Sequence, residues 1–348
     1  MKILVSALET SSNIHLKALK KELNPKCELV GIFDKNLGNA KYDISHLAIM
    51  GFIDVIKKLP FFLKLKKEMI NLAKDVDKVL LMDSSGFNIP LAKSIKKKYP
   101  NKEIIYYILP QAWAWKKKRI PLLEKTCDKL CSILPFEQNL YTNKTKISYV
   151  GHPLLDEIKE FKQEVNRNSN TIVFMPGSRK TEIINHMKIF NKLKNKFKDR
   201  RLVLIIPEKF TQDYIKKVYK DTSGFIISSN TYEELKKAQF AFICSGTATL
   251  EAALIGTPFI LCYIAKKLDY FIGTKVIKLP YIGLANIFFH KLNKKPIHKE
   301  FLQENVTVEN LFNEYTSMNE KLFLENSKIL RKYLKSGSSK NVANIIHN

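Results

Sequence analysis

The chain has 348 residues, 45% of them hydrophobic and 26% charged, which excludes a disordered or fibrous protein and favours two domains. Its net charge of +26 favours polyanionic partners such as nucleic acid, phospholipid headgroups or phosphorylated substrates, although a merely lysine-rich surface gives the same excess. Five cysteines without metal-ligand spacing argue against a disulfide framework and a zinc site, and indicate reduced thiols in a cytosolic protein.

The chain begins with a short apolar run, 3–8, that meets polar residues from Glu9 onward. A run this short fits a buried first strand better than a secretion signal. No stretch of the sequence approaches the roughly twenty apolar residues that a membrane-spanning helix needs. The sequence therefore predicts a protein that is soluble or lies on a membrane without crossing it.

Short apolar runs then alternate with amphipathic, lysine-rich stretches, which is the pattern of βαβ units around a parallel sheet. In the first half a helix is predicted over 90–98, where the apolar spacing suits a helix. The predicted strands of this half are 3–7, 28–33, 79–83, 104–109, 129–134 and 147–150.

The polar segment 156–170 carries no strand pattern and is the predicted domain boundary. A second series of strands follows, and the tail 319–348 is predicted to be helical with an interruption at 336–339. We therefore predict two doubly wound Rossmann-like domains, 1–160 and 165–320, that face a central cleft, with C-terminal helices of about 320–348 packing back on the first. The strands of the second series are 171–175, 202–206, 225–228, 240–244 and 258–263.

Two motifs of the second half suit a nucleotide diphosphate. Ser245, Gly246 and Thr247 follow a strand and open an apolar helix, so that backbone amides can approach a phosphate, while Glu251 one turn later can accept hydrogen bonds from ribose hydroxyls. An ordinary capped helix start explains the same pattern. Arg179 follows a tight turn at a strand end, where its planar guanidinium suits a pyrophosphate or lies free on the surface.

Asp83 ends a very apolar run at the carboxyl end of a predicted central strand. A partly desolvated carboxylate there could take a proton from an attacking hydroxyl. The spacing by itself favours a structural role as the N-cap of the next helix, with Ser84 and Ser85 as rival caps. His152, at another strand end, is interpreted as a structural hydrogen-bonding residue, because no partner for catalysis is recognisable.

Two further segments combine apolar and basic residues. Trp113 and Trp115 lie beside the bases 116–119, which could bind nucleic acid or sugar phosphate, or anchor a helix start. The segment 52–74 suits a core helix with a basic outer face, but its consecutive aromatics favour contact with an anionic membrane. The predicted membrane-contact residues are Ile53, Val55, Ile56, Leu59, Phe61, Phe62 and Leu63.

Taken in order, these motifs resemble the lipid-A-disaccharide synthase family over nearly the whole chain. The chain departs from the family's G-E-x-S-G-D motif, of which Glu9 and Ser11 remain, and Gly86 stands where the family often has a second acid. Ala285 replaces a usual proline. The matching segments are 50–52, Asp83 with 87–88, 113–115, 134–137, 150–153, 176–179, 245–248 with 250–251, and 280–286.

The resemblance implies an inverting α/β glycosyltransferase of the GT-B type. Its donor would be UDP-2,3-diacylglucosamine and its acceptor 2,3-diacylglucosamine 1-phosphate (lipid X), joined into the β-1′,6-linked lipid A disaccharide 1-phosphate with release of UDP. No metal or other cofactor is implied. The resemblance places the catalytic residues at Asp83 and Arg179, the UDP site at Arg179, Ser245, Gly246, Thr247, Glu251 and Asn286, and the substrate cleft at Glu9, Ser11 and Trp115.

The resemblance also implies a peripheral location on the cytoplasmic face of the inner membrane of a Gram-negative bacterium, in contact with anionic lipid. It implies no nucleic-acid partner and leaves a homodimer open. Without the resemblance, the residues leave two other classes of protein open. One is a non-enzymatic nucleic-acid-binding protein, suggested by the charge and by 113–119. The other is a nucleotide-sugar epimerase on the same two-domain fold, which has no use for the apolar segment 52–74.

Overall fold

The structure, a computed structural model, describes residues 1–44, 59–114, 117–165, 169–264 and 280–348. The chain divides into two compact units. The first unit comprises Met1–Glu157 with Leu334–Asn348, and the second comprises Ile158–Tyr333. Each unit is built on one sheet of parallel strands, which confirms the predicted α/β class.

The first unit holds a seven-stranded sheet in the order β3-β2-β1-β4-β5-β6-β7. Its strands are β1 Lys2–Ala7, β2 Glu28–Phe33, β3 Asn39–Asp43, β4 Lys78–Met82, β5 Glu103–Tyr107, β6 Lys129–Ser132 and β7 Ile147–Tyr149. Its helices before the second unit are α1 Thr10–Glu22, α2 Leu59–Leu72, α3 Ser85–Lys98, α4 Arg119–Thr126 and α5 Leu154–Glu157. Two apolar clusters cover the two faces of the sheet, so the strands read as continuous hydrophobic runs.

The second unit holds a six-stranded sheet in the order β10-β9-β8-β11-β12-β13. Its strands are β8 Thr171–Met175, β9 Arg201–Ile205, β10 Ile226–Ser228, β11 Phe240–Cys244, β12 Phe259–Tyr263 and β13 Glu300–Leu302. Its helices are α6 Lys180–Leu193, α7 Gln212–Val218, α8 Thr231–Lys237, α9 Thr247–Ile255, α10 Leu284–Lys291, α11 Val308–Ser317 and α12 Glu320–Leu334. Its core is rich in phenylalanine, and Phe174 and Phe242 stack on neighbouring strands at 5.2 Å.

A last helix, α13 Ser338–His347, belongs to the first unit and packs on α1. Val342 and Ile346 are buried in the same cluster as Leu16 of α1. The carboxylate of Asp156 accepts hydrogen bonds from the backbone N–H of Gly337 and Ser339, at 2.6 and 2.9 Å, and so fixes the start of this helix.

Three elements differ from the sequence prediction. The strands β3 and β13 were not predicted, because their short sequences, NAKYD and EFL, contain no buried residue and form no hydrophobic run. The helix predicted over 90–98 already begins at Ser85, so Pro90 lies inside α3. Within the described ranges, no helix is long and apolar enough to cross a membrane.

Candidate active site

The turn between β4 and α3 carries Asp83. In the parallel sheet Ala7 pairs with Met82, and Met82 pairs with Tyr107, so the turn lies at the carboxyl end of a central strand. Asp83 and Ser84 have φ values of 49° and 39°, and two successive non-glycine residues in the left-handed region are strained. Ser84, rather than Asp83, is the N-cap residue of α3, so the structure does not use Asp83 as the helix cap.

Buried polar side chains hold this strained turn in place. The Asn88 amide donates to the backbone carbonyl oxygens of Met82 and Asp83, at 3.0 and 3.1 Å. The Tyr106 hydroxyl donates to the same Asp83 carbonyl at 2.5 Å. Asn88 is itself fixed by the Ser6 hydroxyl, which donates to its Oδ1 at 2.6 Å. The main chain of Asp83 is therefore anchored from the interior of the first unit.

The electrostatic surroundings of Asp83 suit a base. Its side chain is half-buried, and this burial raises the pKa of the carboxyl above its ordinary value. The backbone N–H of Ser84 and the positive charge of His15 act in the opposite direction and lower that pKa. His15 lies on α1 and pairs through Nδ1 with the carboxylate of Glu157. A carboxylate with a raised pKa is a better proton acceptor than an ordinary surface aspartate.

A pocket of about 440 Å³ opens beside Asp83. One side of it is polar, and there the Ser84 hydroxyl donates to Glu9 Oε1 at 3.3 Å and Arg119 donates to the Ser85 hydroxyl at 2.8 Å. The other side is apolar. Among the described residues the lining is Leu8, Glu9, Leu59, Phe62, Asp83, Ser84, Ser85, Gly86 and Phe87.

The loop between β1 and α1 contains Glu9 and Ser11, which are both exposed. Asn13, which replaces the family's aspartate, is buried and fastens the loop. Its amide donates to the carbonyl oxygens of Ala7 and Glu9, both at 2.8 Å, and its Oδ1 accepts from the N–H of Asp34 at 2.7 Å. Although this loop departs from the family's G-E-x-S-G-D motif, the Asn13 side chain holds its backbone in place next to the Asp83 pocket.

In the second unit, Arg179 is the N-cap residue of α6 at the end of β8. Its side chain is 77% exposed and donates to Glu182 Oε1 at 2.8 Å, and these contacts with Glu182 raise the pKa of the guanidinium. The preceding turn needs glycine at Gly177, where φ is 104° and a Cβ atom would lie 2.8 Å from Glu182 Oε2. Arg179 is therefore an exposed, permanently charged group at the strand end.

The start of α9 is a second feature of this unit. Gly246 is its N-cap residue, and no side chain caps it, so the ordinary Ser/Thr cap considered from the sequence is not formed. Gly246 and Thr247 are exposed, whereas Ser245 and Glu251 are half-buried. An uncapped helix N-terminus offers backbone N–H groups and a positive dipole end to an anion.

Asn286 lies on α10 and is fully buried. Its Nδ2 donates to Glu300 Oε1 at 2.8 Å and to the His298 carbonyl at 3.0 Å, and its Oδ1 accepts from the N–H of Ile297 at 2.9 Å. Glu300 in turn accepts from the backbone N–H of Gly283 at 3.1 Å. The structure thus gives the Asn286 side chain a supporting role at the start of α10, and contact with UDP stays a prediction.

The comparisons with known proteins decide the family. A family model described as lipid-A-disaccharide synthetase matches residues 3–345. The chain belongs to this family. Its relatives include lipid-A-disaccharide synthases of Helicobacter pylori (strain HPAG1), 50% identical, and of Campylobacter jejuni (strain RM1221), 47% identical. The alignments cover 98% and 99% of this chain, and 97% and 98% of the relatives.

Solved structures agree on the fold of this lipid-A-disaccharide synthetase family member. A UDP-GlcNAc 2-epimerase from Neisseria meningitidis, solved with UDP-GlcNAc bound, has a TM-score of 0.62 at 12% identity and covers 100% of this chain and 98% of its own. A calicheamicin glycosyltransferase has a TM-score of 0.61 at 11% identity, with 99% and 97% covered. At such identities the likeness shows the fold, and it confirms the predicted GT-B type.

Several residues near the family's motifs were not found from the sequence. His15 and Glu157 are 142 residues apart along the chain, so no local pattern pairs them. Glu182 could have been found, because an acid three residues after an N-cap is a helix-start signal. His152 is buried, and burial lowers its pKa to about 3, which keeps it neutral as expected for a structural histidine.

The remaining predicted residues belong to the tryptophan segment and to the predicted membrane-contact segment. Trp115, Ile53, Val55 and Ile56 lie outside the described residues. Trp113 packs edge-on against Phe136, with ring centroids 5.2 Å apart. On α2, Leu59 and Leu63 are 55% and 52% exposed, whereas Phe61 and Phe62 are half-buried against the core.

Proposed function

We propose that the protein transfers 2,3-diacylglucosamine from UDP-2,3-diacylglucosamine to the 6-hydroxyl of lipid X, with inversion. Its membership of the lipid-A-disaccharide synthetase family makes it a glycosyltransferase of lipid A biosynthesis. The identity of the two substrates and the inversion at the anomeric carbon go beyond that assignment and are the proposal made here. The observation that carries the proposal is the Asp83 carboxylate, held on an anchored, strained turn in the lining of a largely apolar pocket. Such a site suits a hydroxyl group on a lipid.

Asp83 is proposed to act as the general base. It takes the proton of the acceptor 6-hydroxyl while that oxygen attacks the anomeric carbon of the donor sugar. The new glycosidic C–O bond forms as the bond from the anomeric carbon to the UDP oxygen breaks, and UDP carries away the electron pair. A single displacement of this kind inverts the anomeric centre and needs one base.

The second unit is proposed to bind the UDP part of the donor. Arg179 is exposed and fully charged, and its guanidinium can donate two hydrogen bonds to the diphosphate. The uncapped start of α9 at Gly246 and Thr247 adds N–H donors and a positive dipole end, while Glu251 is proposed to accept from the ribose. Because these groups meet the charge of the leaving diphosphate, we expect no metal or other cofactor to be required.

Because both proposed substrates are lipids, the protein is also proposed to act at the cytoplasmic face of the inner membrane. Leu59 and Leu63 are exposed on α2, in a stretch that also carries Lys64, Lys66 and Lys67. Apolar side chains flanked by lysines are typical of a surface that enters the headgroup region of an anionic bilayer.

The test is a turnover assay with both proposed substrates in detergent and EDTA present. Wild-type protein should form the disaccharide 1-phosphate and UDP. We expect Asp83→Asn to lower kcat by roughly 10²- to 10⁴-fold, because a positioned base contributes about that much. Arg179→Ala should lower kcat/KM by more than about tenfold. Asp199→Asn and Arg200→Ala, at exposed positions of the second unit, are the matched controls and should retain full activity.

Three outcomes would contradict parts of the proposal. Turnover that survives in folded Asp83→Asn protein would remove Asp83 as the base. No disaccharide from folded wild-type protein, over several acyl chain lengths, would overturn the substrate assignment. Epimerisation of UDP-GlcNAc without any lipid acceptor would favour the epimerase alternative instead.

A further inference from the structure

The pocket beside Asp83 has an apolar wall that reaches the protein surface. Phe87 and Phe62 contact each other at a ring-centroid distance of 6.2 Å, and Phe61 packs edge-on against Phe62 at 5.7 Å. These partly buried rings pack against the hydrophobic core, so the wall is backed by packed side chains. Leu59, at the outer part of the lining, is 55% exposed. An apolar path therefore leads from the Asp83 carboxylate to the exposed face of α2.

Gly86 is a lining residue of this pocket with free space around its Cβ position. A Cβ atom built on Gly86 would meet nothing within 4 Å, whereas one on Gly177 or Gly283 would clash at 2.8 Å. Gly86 lies in the first turn of α3 without a positive φ, so its backbone accepts any ordinary residue. Glycine is among the least favourable residues in a helix. Gly86 is exposed and lines the pocket, so a larger side chain at this position has room and changes the pocket's lining.

The pocket fits an amphiphile. Its volume of about 440 Å³ lies within the range of ligand sites. Its polar side can take a sugar, and its apolar wall can take a hydrocarbon chain. We propose that it binds an acyl chain of the acceptor, and that Gly86 sets how long a chain fits. The inference rests on the proposed function, because the acceptor is the substrate whose hydroxyl Asp83 would deprotonate.

The test compares acceptors and donors of graded acyl length in wild-type and Gly86→Leu protein. With a constant donor, wild-type kcat/KM should rise by about fourfold for each added methylene until the pocket is full. In Gly86→Leu the optimum should move to shorter acceptor chains, and the ratio of long-chain to short-chain kcat/KM should fall by at least about tenfold. Lys93→Leu, exposed on the same helix, should leave the profile unchanged.

A second readout separates this inference from the proposed function. Equilibrium binding of lipid X analogues without donor should show the same loss of long-chain preference in Gly86→Leu, whether or not turnover occurs. If Gly86→Leu does not fold, Gly86→Ala should give a smaller shift in the same direction. An unchanged ratio in folded protein would overturn the inference. A shift in the donor profile instead of the acceptor profile would show that the pocket binds the donor chain.

Discussion

At the scale of single residues, the chemistry of the site depends on the balance of effects on Asp83. Burial raises the pKa of its carboxyl, while the positive charge of His15 lowers it. His15 is buried on α1 and paired with Glu157, so its ring is held in place. A base must be deprotonated to act, so activity should fall as the pH drops through the pKa of Asp83.

We therefore expect His15→Gln to move the acidic limb of the kcat/KM profile to higher pH. The substitution removes a positive charge that lowers the pKa of Asp83, so the carboxylate takes up its proton at a higher pH. Activity above the limb should change little. The measurement is the pH dependence of kcat/KM beside His290→Gln, an exposed control. A limb that stays in place or moves to lower pH would contradict this account of the Asp83 environment.

At the scale of elements, the β4–α3 turn is a strained backbone held by side chains from neighbouring strands. Tyr106 and Tyr107 are consecutive buried residues of β5 whose side chains lie in the two different core clusters of the first unit. The Tyr106 hydroxyl donates to the Asp83 carbonyl, whereas the Tyr107 hydroxyl pairs with Ser338 Oγ at 2.8 Å. The hydrogen bond of Tyr106 thus holds the turn at Asp83, whereas that of Tyr107 holds the start of α13.

This difference gives a matched pair of variants. Tyr106→Phe and Tyr107→Phe should each lower the free energy of unfolding by about 1–2 kcal/mol, because each loses one buried hydrogen bond. Only Tyr106→Phe should also lower kcat, by about tenfold, since it releases the backbone that positions Asp83. Chemical denaturation and steady-state kinetics measure the two effects. Equal kcat losses in both variants would indicate a general loss of stability instead of a positioning role for Tyr106.

At the scale of the whole molecule, a net charge of +26 is combined with exposed leucines on α2. We expect binding to vesicles that contain phosphatidylglycerol, weaker binding at high salt, and little binding to phosphatidylcholine. Leu63→Ser should weaken binding by about tenfold. Leu322→Ser is the matched control, because Leu322 is 51% exposed on α12 of the second unit. Equal losses in the two variants, measured by co-sedimentation, would refute a specific α2 contact.

The sequence allowed the buried strands to be predicted closely, because central strands of parallel sheets are continuous apolar runs. It did not allow β3 and β13 to be predicted, since neither sequence contains an apolar run. The positions of Asp83 and Arg179 at strand ends followed from the same pattern. The anchoring of Asp83 by Tyr106, and the His15–Glu157 pair, depend on contacts between distant parts of the chain. The burial of Asn286 likewise follows from β13, an element without a sequence signal.

The placement of α13 in the first unit has a consequence for biosynthesis. Residues 1–157 emerge from the ribosome first, yet the helix that covers Leu16 and Leu19 emerges only after the whole second unit. Domains tend to fold in the order in which they are made. The apolar surface of the first unit at Leu16 and Leu19 therefore stays uncovered until α13 has been synthesised. The second unit is continuous in the chain, so we expect it to complete its fold before the first unit does.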